Sequence, residues 1–194
     1  MEINLELIFK LLGSFLIGAI PFSPIAMLGS GTDLRDIGSG NPGFNNVLRV
    51  DKRRAVLALI GDVGKGWLPV WLFYDPAQFV NYAWLYALCA VFGHCYSPFL
   101  KFQGGKGIAT GAGAMLARYP LMAVGSGAFF LVVRILGSRL KLGEGGAIAS
   151  LSSWVFFTGL MHFQFGMPHT KYSALMTLFL FWRHKDNLRR MVGL

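Results

Sequence analysis

Long apolar runs separated by short polar stretches dominate the chain. The first run covers about residues 7–28, through Leu11, Leu12, Phe15, Leu16 and Ile17, with Lys10 as its one charge. As a helix it is long enough to cross a hydrocarbon core of roughly 30 Å. Further runs follow at about 55–74, 80–100, 108–117, 120–137, 146–165 and 172–183. The 108–117 run is too short to cross alone and reads as a half-helix. The pattern predicts an all-α membrane protein of about seven helical segments, some short or half-spanning, forming a single polytopic domain over residues 1–194.

Composition agrees. The chain is 54% hydrophobic with a mean hydropathy of +0.52, and only 14% of its residues are charged. A soluble domain carries about a quarter charged residues, so lipid has to solvate much of this apolar surface. The net charge of +9 would point to nucleic acid in a soluble protein. In a membrane protein, Lys and Arg instead mark the cytoplasmic side, and no nucleic-acid partner is expected.

A cleaved signal peptide would open on basic residues, whereas the first charges are Glu2 and Glu6. The first run therefore reads as a retained span with its N-terminus outside. That choice puts Arg35, Arg49, Lys52, Arg53, Arg54, Lys101, Lys106, Arg139, Lys141 and the basic tail inside, with Arg118 and Lys171 outside. The asymmetry predicts a cytoplasmic C-terminus. Cys89 and Cys95 form neither a CxxC pair nor a disulfide framework, and no metal or cofactor is expected.

The 25 glycines divide between two tasks. Gly111-Ala112-Gly113-Ala114 and Gly125-Ser126-Gly127-Ala128 read as close helix packing. The others lie in polar loops, where glycine permits positive φ and close approach of backbone to a ligand.

Four polar stretches on the expected inner face carry the candidate chemistry. In Gly38-Ser39-Gly40-Asn41-Pro42-Gly43-Phe44-Asn45-Asn46-Val47-Leu48-Arg49, alternating glycines can fold N–H groups into an anion-binding nest. Ser39, Asn41 and Asn46 add side-chain donors and Arg49 a bidentate cation; an ordinary loop is the competing reading. Asp62 and Lys65 lie three apart on one helix face, either as a self-satisfied ion pair or as an accessible lysine kept open by Gly64 and Gly66. Gly104-Gly105-Lys106-Gly107 precedes an apolar helix, the setting of a phosphate site at a helix N-terminus. It is not a Walker A loop, because Ile108 stands where Ser or Thr would hold magnesium. His94 lies ten residues before Gly104, either structural or functional. The last stretch, Arg183-His184-Lys185-Asp186-Asn187-Leu188-Arg189-Arg190, could equally be a topology anchor. No GxSxG elbow is present, and no His has an Asp five positions on.

Taken in order, these stretches resemble the bacterial PlsY family of membrane glycerol-3-phosphate acyltransferases. The likeness rests on Gly38 to Gly43, Asn46 and Arg49; on Asp62 and Lys65-Gly66; on Gly93-His94, Phe102 and Gly104 to Thr110; and on Arg183-His184, Asn187 and Arg189. It implies several membrane helices in the bacterial cytoplasmic membrane and an active site facing the cytoplasm. It also implies transfer of the acyl group of acyl phosphate to glycerol 3-phosphate, giving lysophosphatidate and inorganic phosphate. Neither acyl-CoA nor acyl carrier protein is then the direct donor.

Under this resemblance Ser39, Asn46, Lys106, His184 and Asn187 are the catalytic candidates. Gly38, Gly40, Asn41, Gly43, Arg49, Lys65, His94, Gly104, Gly105, Gly107 and Arg183 are the substrate-binding ones. The base for the attacking hydroxyl is His184, His94 or a substrate phosphate oxygen.

Two stretches depart from the family pattern. Phe44-Asn45 replaces Ala-Thr, and Gly143-Glu144-Gly145-Gly146 stands where serines are usual, with Ser150-Leu151-Ser152-Ser153 only later. These departures keep open a catalytically altered paralogue that binds phosphate or phospholipid. A transporter of a phosphorylated solute is the reading from another class.

Overall fold

A computed structural model describes residues 4–75 and 80–193; Glu2, invoked above, lies outside them. The described residues are helical, with no strand among them. They fall into two compact units, residues 1–118 and 119–194.

In the first unit the opening apolar run is broken. Helix α1 (Leu5–Ala19) is capped at its start by Asn4, whose side chain accepts from the Leu7 N–H. It stops at Ile20, and the short α2 (Phe22–Ala26) follows Pro21. Proline brings no N–H to the helical ladder, so the chain turns there. Helix α3 (Phe44–Val50) lies in the first glycine stretch, and α4 (Lys52–Phe73) begins at Asp51, whose carboxylate accepts from the N–H groups of Arg53 and Arg54. Helices α5 (Val80–Cys95) and α6 (Ile108–Arg118) complete the unit.

Glycines set how closely these helices approach. A Cβ on Gly18 would stand 2.1 Å from the Ala90 carbonyl oxygen, which places α1 against α5. One on Gly66 would stand 1.8 Å from the Thr110 oxygen, and one on Gly113 1.9 Å from the Val63 oxygen, which places α4 against α6. Packing through Gly113 is as the sequence pattern predicts. The end of α2 is closed from α4: the Arg54 Nη1 donates to the carbonyls of Ala26 (2.7 Å) and Leu28 (2.8 Å).

The second unit contains α7 (Pro120–Arg139), α8 (Gly145–Phe165), α9 (Met167–Arg183) and α10 (Lys185–Met191). Helix α8 packs on α7 through stacked Phe129 and Phe156, 4.6 Å between centroids, and on α9 through the Thr158 and Thr177 hydroxyls, 3.0 Å apart. The 125–128 stretch behaves differently from 111–114: a Cβ on Gly127 would meet nothing within 4 Å.

All seven predicted segments are helical, and two further short helices, α3 and α10, occupy polar stretches where no apolar run announces them. Five helical stretches among the described residues are long and apolar enough to cross a membrane: Leu5–Ala26, Lys52–Phe73, Tyr82–Leu100, Pro120–Arg139 and Gly145–Phe165. Helix α6, of 11 residues, and α9, of 17, fall short. Rows of exposed large side chains, such as Leu5, Ile8, Phe9, Leu12 and Leu16 on α1, are the surface lipid would solvate.

Candidate active site

The first glycine loop is built around Asn46, which is 1% exposed. Its Nδ2 donates to the carbonyls of Ile37 (2.7 Å) and Asn41 (2.9 Å), so the amide staples the loop's backbone from inside. Its Oδ1 accepts from Arg49 and, at 3.5 Å, from the Ser39 hydroxyl. Asn46 thus aims two exposed groups, a guanidinium and a hydroxyl, while remaining buried. Gly38 (φ 55°) and Gly40 (φ 67°) take left-handed conformations that favour glycine. A Cβ on Gly38 would stand 1.8 Å from Arg49 Nη1, so glycine is what lets the guanidinium lie against the loop. Glycine at 43 leaves room for the Asn41 amide, whose Nδ2 would lie 2.7 Å from a Cβ there.

Phe44, the bulky departure, packs against the core of Met27, Leu34, Val47, Ala55 and Ala58. Asn45 is exposed.

The second loop leads into α6. Gly104 and Gly105 are buried and Lys106 is half-buried, while Gly107 (φ 88°) turns the chain into the helix. The loop runs hard against the end of α5. Gly104 N–H donates to the Cys95 carbonyl (3.1 Å), and a Cβ on Gly104 would stand 2.0 Å from the His94 carbonyl oxygen. A Cβ on Gly105 would stand 2.1 Å from His94 Nε2, so the imidazole lies over that glycine. The result is a lysine between glycines, beside the N–H groups of a helix start, which suits an anion.

Beneath both loops lies a buried ionic cluster. Lys65 Nζ is 2.8 Å from Asp62 Oδ1 and donates to the Ile20 carbonyl (2.7 Å) at the end of α1. Asp62 also takes the Ser23 hydroxyl (3.4 Å) and lies 3.5 Å from His94 Nδ1. Ser97 closes the neighbouring carbonyl, donating to Ala19 O at 2.6 Å. Lys65 is 4% exposed, so the flanking glycines do not keep it accessible, and Gly66 instead serves the packing of α6. Its charge is compensated by a carboxylate and by a helix C-terminus, where a cation is favourable. A cavity of about 10 Å³ touches Pro21, Ser23, Pro42, Asp62, Lys65 and Gly105, room for about one water.

In the second unit, His184 and Asn187 flank the start of α10, at 4% and 7% exposure. His184 Nδ1 lies 2.8 Å from the Leu180 carbonyl. A carbonyl only accepts, so Nδ1 carries the proton and Nε2 is the basic nitrogen of the neutral ring. Arg183, at the end of α9, lies over the Trp182 ring, 6.0 Å from its centroid. Glu144 takes Asn187 Nδ2 on one oxygen (2.7 Å) and Arg190 Nε on the other (2.6 Å). An apolar cleft of about 550 Å³ runs along α8 past Ile148, Leu151, Val155 and Phe156 to Leu188 and Met191 of α10. Ser150 and Ser153 donate their hydroxyls to their own helix, at Gly146 O and Ser150 O.

Sequence reasoning missed the stapling role of Asn46, the break at Ile20 and the reach of Glu144 to α10. Pro21 was the visible signal for the break. A lone glutamate between glycines signals nothing by itself.

Membrane-spanning helices with glycine-built loops that present Arg49 and Lys106 define an integral membrane protein suited to phosphate-bearing ligands. The chain belongs to the glycerol-3-phosphate acyltransferase family, whose model matches residues 8–193. It is 35% identical to a glycerol-3-phosphate acyltransferase of Burkholderia ambifaria, over 97% of this chain and 89% of that one. A namesake from Paraburkholderia phytofirmans is 39% identical over 92% and 84%. The crystal structure of PlsY, an integral membrane glycerol 3-phosphate acyltransferase, in its glycerol 3-phosphate form superposes with a TM-score of 0.86 at 26% identity, covering 96% of this chain and 92% of that one. The lysophosphatidic acid form of PlsY shares the fold, with a TM-score of 0.81 at 24% identity over 96% and 92%.

Proposed function

We propose that this chain acylates glycerol 3-phosphate with acyl phosphate as donor, in the bacterial cytoplasmic membrane, with its N-terminus outside and its reactive loops and C-terminus facing the cytoplasm. The observation that carries the reading is the pair of glycine loops. Each presents one cation, Arg49 or Lys106, and both are seated on the same buried cluster. A reaction between two phosphate-bearing reactants needs two such anion sites. The apolar cleft along α8 offers an acyl chain a lining free of charge.

The glycerol hydroxyl oxygen attacks the acyl carbonyl carbon, the carbon–oxygen bond to phosphate breaks, and phosphate leaves with the electron pair. Because the mixed anhydride is already activated, orientation and charge neutralisation supply most of the acceleration. Lys106 and the backbone of the 104–107 loop hold one phosphate. Arg49 and Ser39 grip the other, with Gly38, Gly40, Asn41 and Gly43 shaping their loop and Asn46 fixing its geometry from beneath. Lys65 and His94 support the loops from the buried cluster. His184 and Asn187 contact the glycerol or its phosphate, and Arg183 adds positive charge near them. The hydroxyl proton passes to His184 Nε2, to His94 or to a substrate phosphate oxygen; an active His184→Ala/His94→Ala double variant assigns it to the substrate.

The test uses purified protein in lipid mesophase with palmitoyl phosphate and glycerol 3-phosphate, following phosphate and lysophosphatidate together. Wild type should turn over, Lys106→Ala and Asn187→Ala should not, and acyl-CoA should not replace the donor. Absence of wild-type turnover while glycerol 3-phosphate still binds would refute the reading in favour of an altered paralogue.

A further inference from the structure

Glu144 stands at the N-terminal boundary of α8, where a carboxylate ordinarily accepts from the first N–H groups of its own helix. It makes no such bond. Both oxygens instead reach α10, Oε2 to Asn187 Nδ2 and Oε1 to Arg190 Nε. Asn187 and Arg190 are three apart and so share a face of that helix. Arg190 balances the negative charge that would otherwise stand beside a site for anions, and the contact with Glu144 holds its guanidinium even more firmly protonated than usual.

The contact also settles the orientation of the Asn187 amide. A carboxylate only accepts, so the amide nitrogen must face Glu144 and the carbonyl oxygen must point the other way. We infer that Glu144 is a positioning residue for the acyl acceptor: it turns Asn187 so that Oδ1, an acceptor, is the end offered to the glycerol hydroxyl. An acceptor at that place orients the O–H and aligns the oxygen lone pair for attack. This inference rests on the acyltransferase reading above and adds to it the residue that determines how Asn187 acts.

Two variants of similar size separate positioning from anchoring of the tail. Glu144→Gln keeps an oxygen for Asn187 and loses the charge facing Arg190; Glu144→Met loses both. Steady-state turnover is measured with glycerol 3-phosphate and palmitoyl phosphate varied separately. Glu144→Met should lower kcat/KM for glycerol 3-phosphate about tenfold, the lower end for a hydrogen bond to a charged group, with the acyl phosphate KM unchanged. Glu144→Gln and Arg190→Ala should stay within about threefold of wild type. On an Asn187→Ala background, where turnover is already lost, Glu144→Met should not weaken glycerol 3-phosphate binding further, because it acts through that side chain. Equal losses in Glu144→Met and Arg190→Ala, or a further loss of glycerol 3-phosphate binding when Glu144→Met is added to Asn187→Ala, would overturn the inference in favour of a plain tail anchor. An inactive wild type would instead overturn the acyltransferase reading beneath it.

Discussion

Substituting Gly104 by alanine tests whether the 104–107 loop works because of where α5 holds it. The new Cβ would lie 2.0 Å from the His94 carbonyl oxygen and 3.0 Å from the Cys95 carbonyl group. Both obstacles are backbone at the end of a helix, so neither can swing aside. The loop must therefore retreat by roughly 1.5 Å to restore ordinary van der Waals contact, and the Gly104–Cys95 hydrogen bond lengthens with it. Forced overpacking of this kind costs about 1–3 kcal/mol of stability. Lys106, two residues on, moves with the loop, and a misplacement of about 1 Å at a reacting centre is worth about 10²-fold in rate. The assay pairs thermal unfolding in detergent with steady-state phosphate release. Gly64→Ala and Gly159→Ala are the controls, because a Cβ at either would meet nothing within 4 Å. Both lie inside helices, so they should leave turnover intact and raise stability by up to about 1 kcal/mol. A folded Gly104→Ala protein turning over at the wild-type rate would refute the idea that this contact positions the lysine.

Three other substitutions or perturbations probe the framework. Asp62→Ala should destabilise the protein by about 3–5 kcal/mol, because it leaves buried Lys65 uncompensated; denaturant unfolding with a loss under about 1 kcal/mol would contradict this. Phe44→Ala should lower stability by about 2 kcal/mol, less than a fully buried phenylalanine, while the KM for glycerol 3-phosphate stays unchanged, since the ring faces the core. A changed KM would place Phe44 in the site. Hydrogen bonds from the N–H groups of Arg54 and Arg53 hold the Asp51 carboxyl below its usual pKa, so its cap is present above the unfolded-state value and lost as pH falls through the lowered one. Acidification should accordingly speed hydrogen exchange at the amides of Arg53 and Arg54 first, and Asp51→Asn should abolish that dependence.

What could be read from the chain followed from the physics each pattern reports. Apolar runs marked every long helix, and the short 108–117 run was rightly set apart, because length against bilayer thickness is a one-dimensional property. The break at Ile20 was masked by continuous hydropathy on both sides of Pro21. Helices α3 and α10 lie in polar stretches and are too short to show a periodicity. The loops were visible as glycine and cation patterns, but the division of labour within them was not. Asn46 looks like another exposed donor until its amide is seen holding the carbonyls of Ile37 and Asn41. Lys65, flanked by glycines, looks open until α6 is seen packed on Gly66. Phe44 looks like an intrusion into a phosphate loop because a sequence does not say which way a ring points.

The spacing of Asp62 and Lys65 on α4 bears on how the protein reaches its membrane. An isolated charge at the centre of an inserting helix costs about 2.5–3.5 kcal/mol. Here the two opposite charges lie one turn apart on the same helix, 2.8 Å from each other, so α4 can enter lipid with the pair already neutralised, without waiting for its packing against α1 and α5. The Ile20 carbonyl and the His94 imidazole then join a pair that exists without them. Loss of either partner would leave the other alone in hydrocarbon during biogenesis. The yield of inserted protein, ahead of any measure of turnover, is therefore where damage to this pair should first be seen.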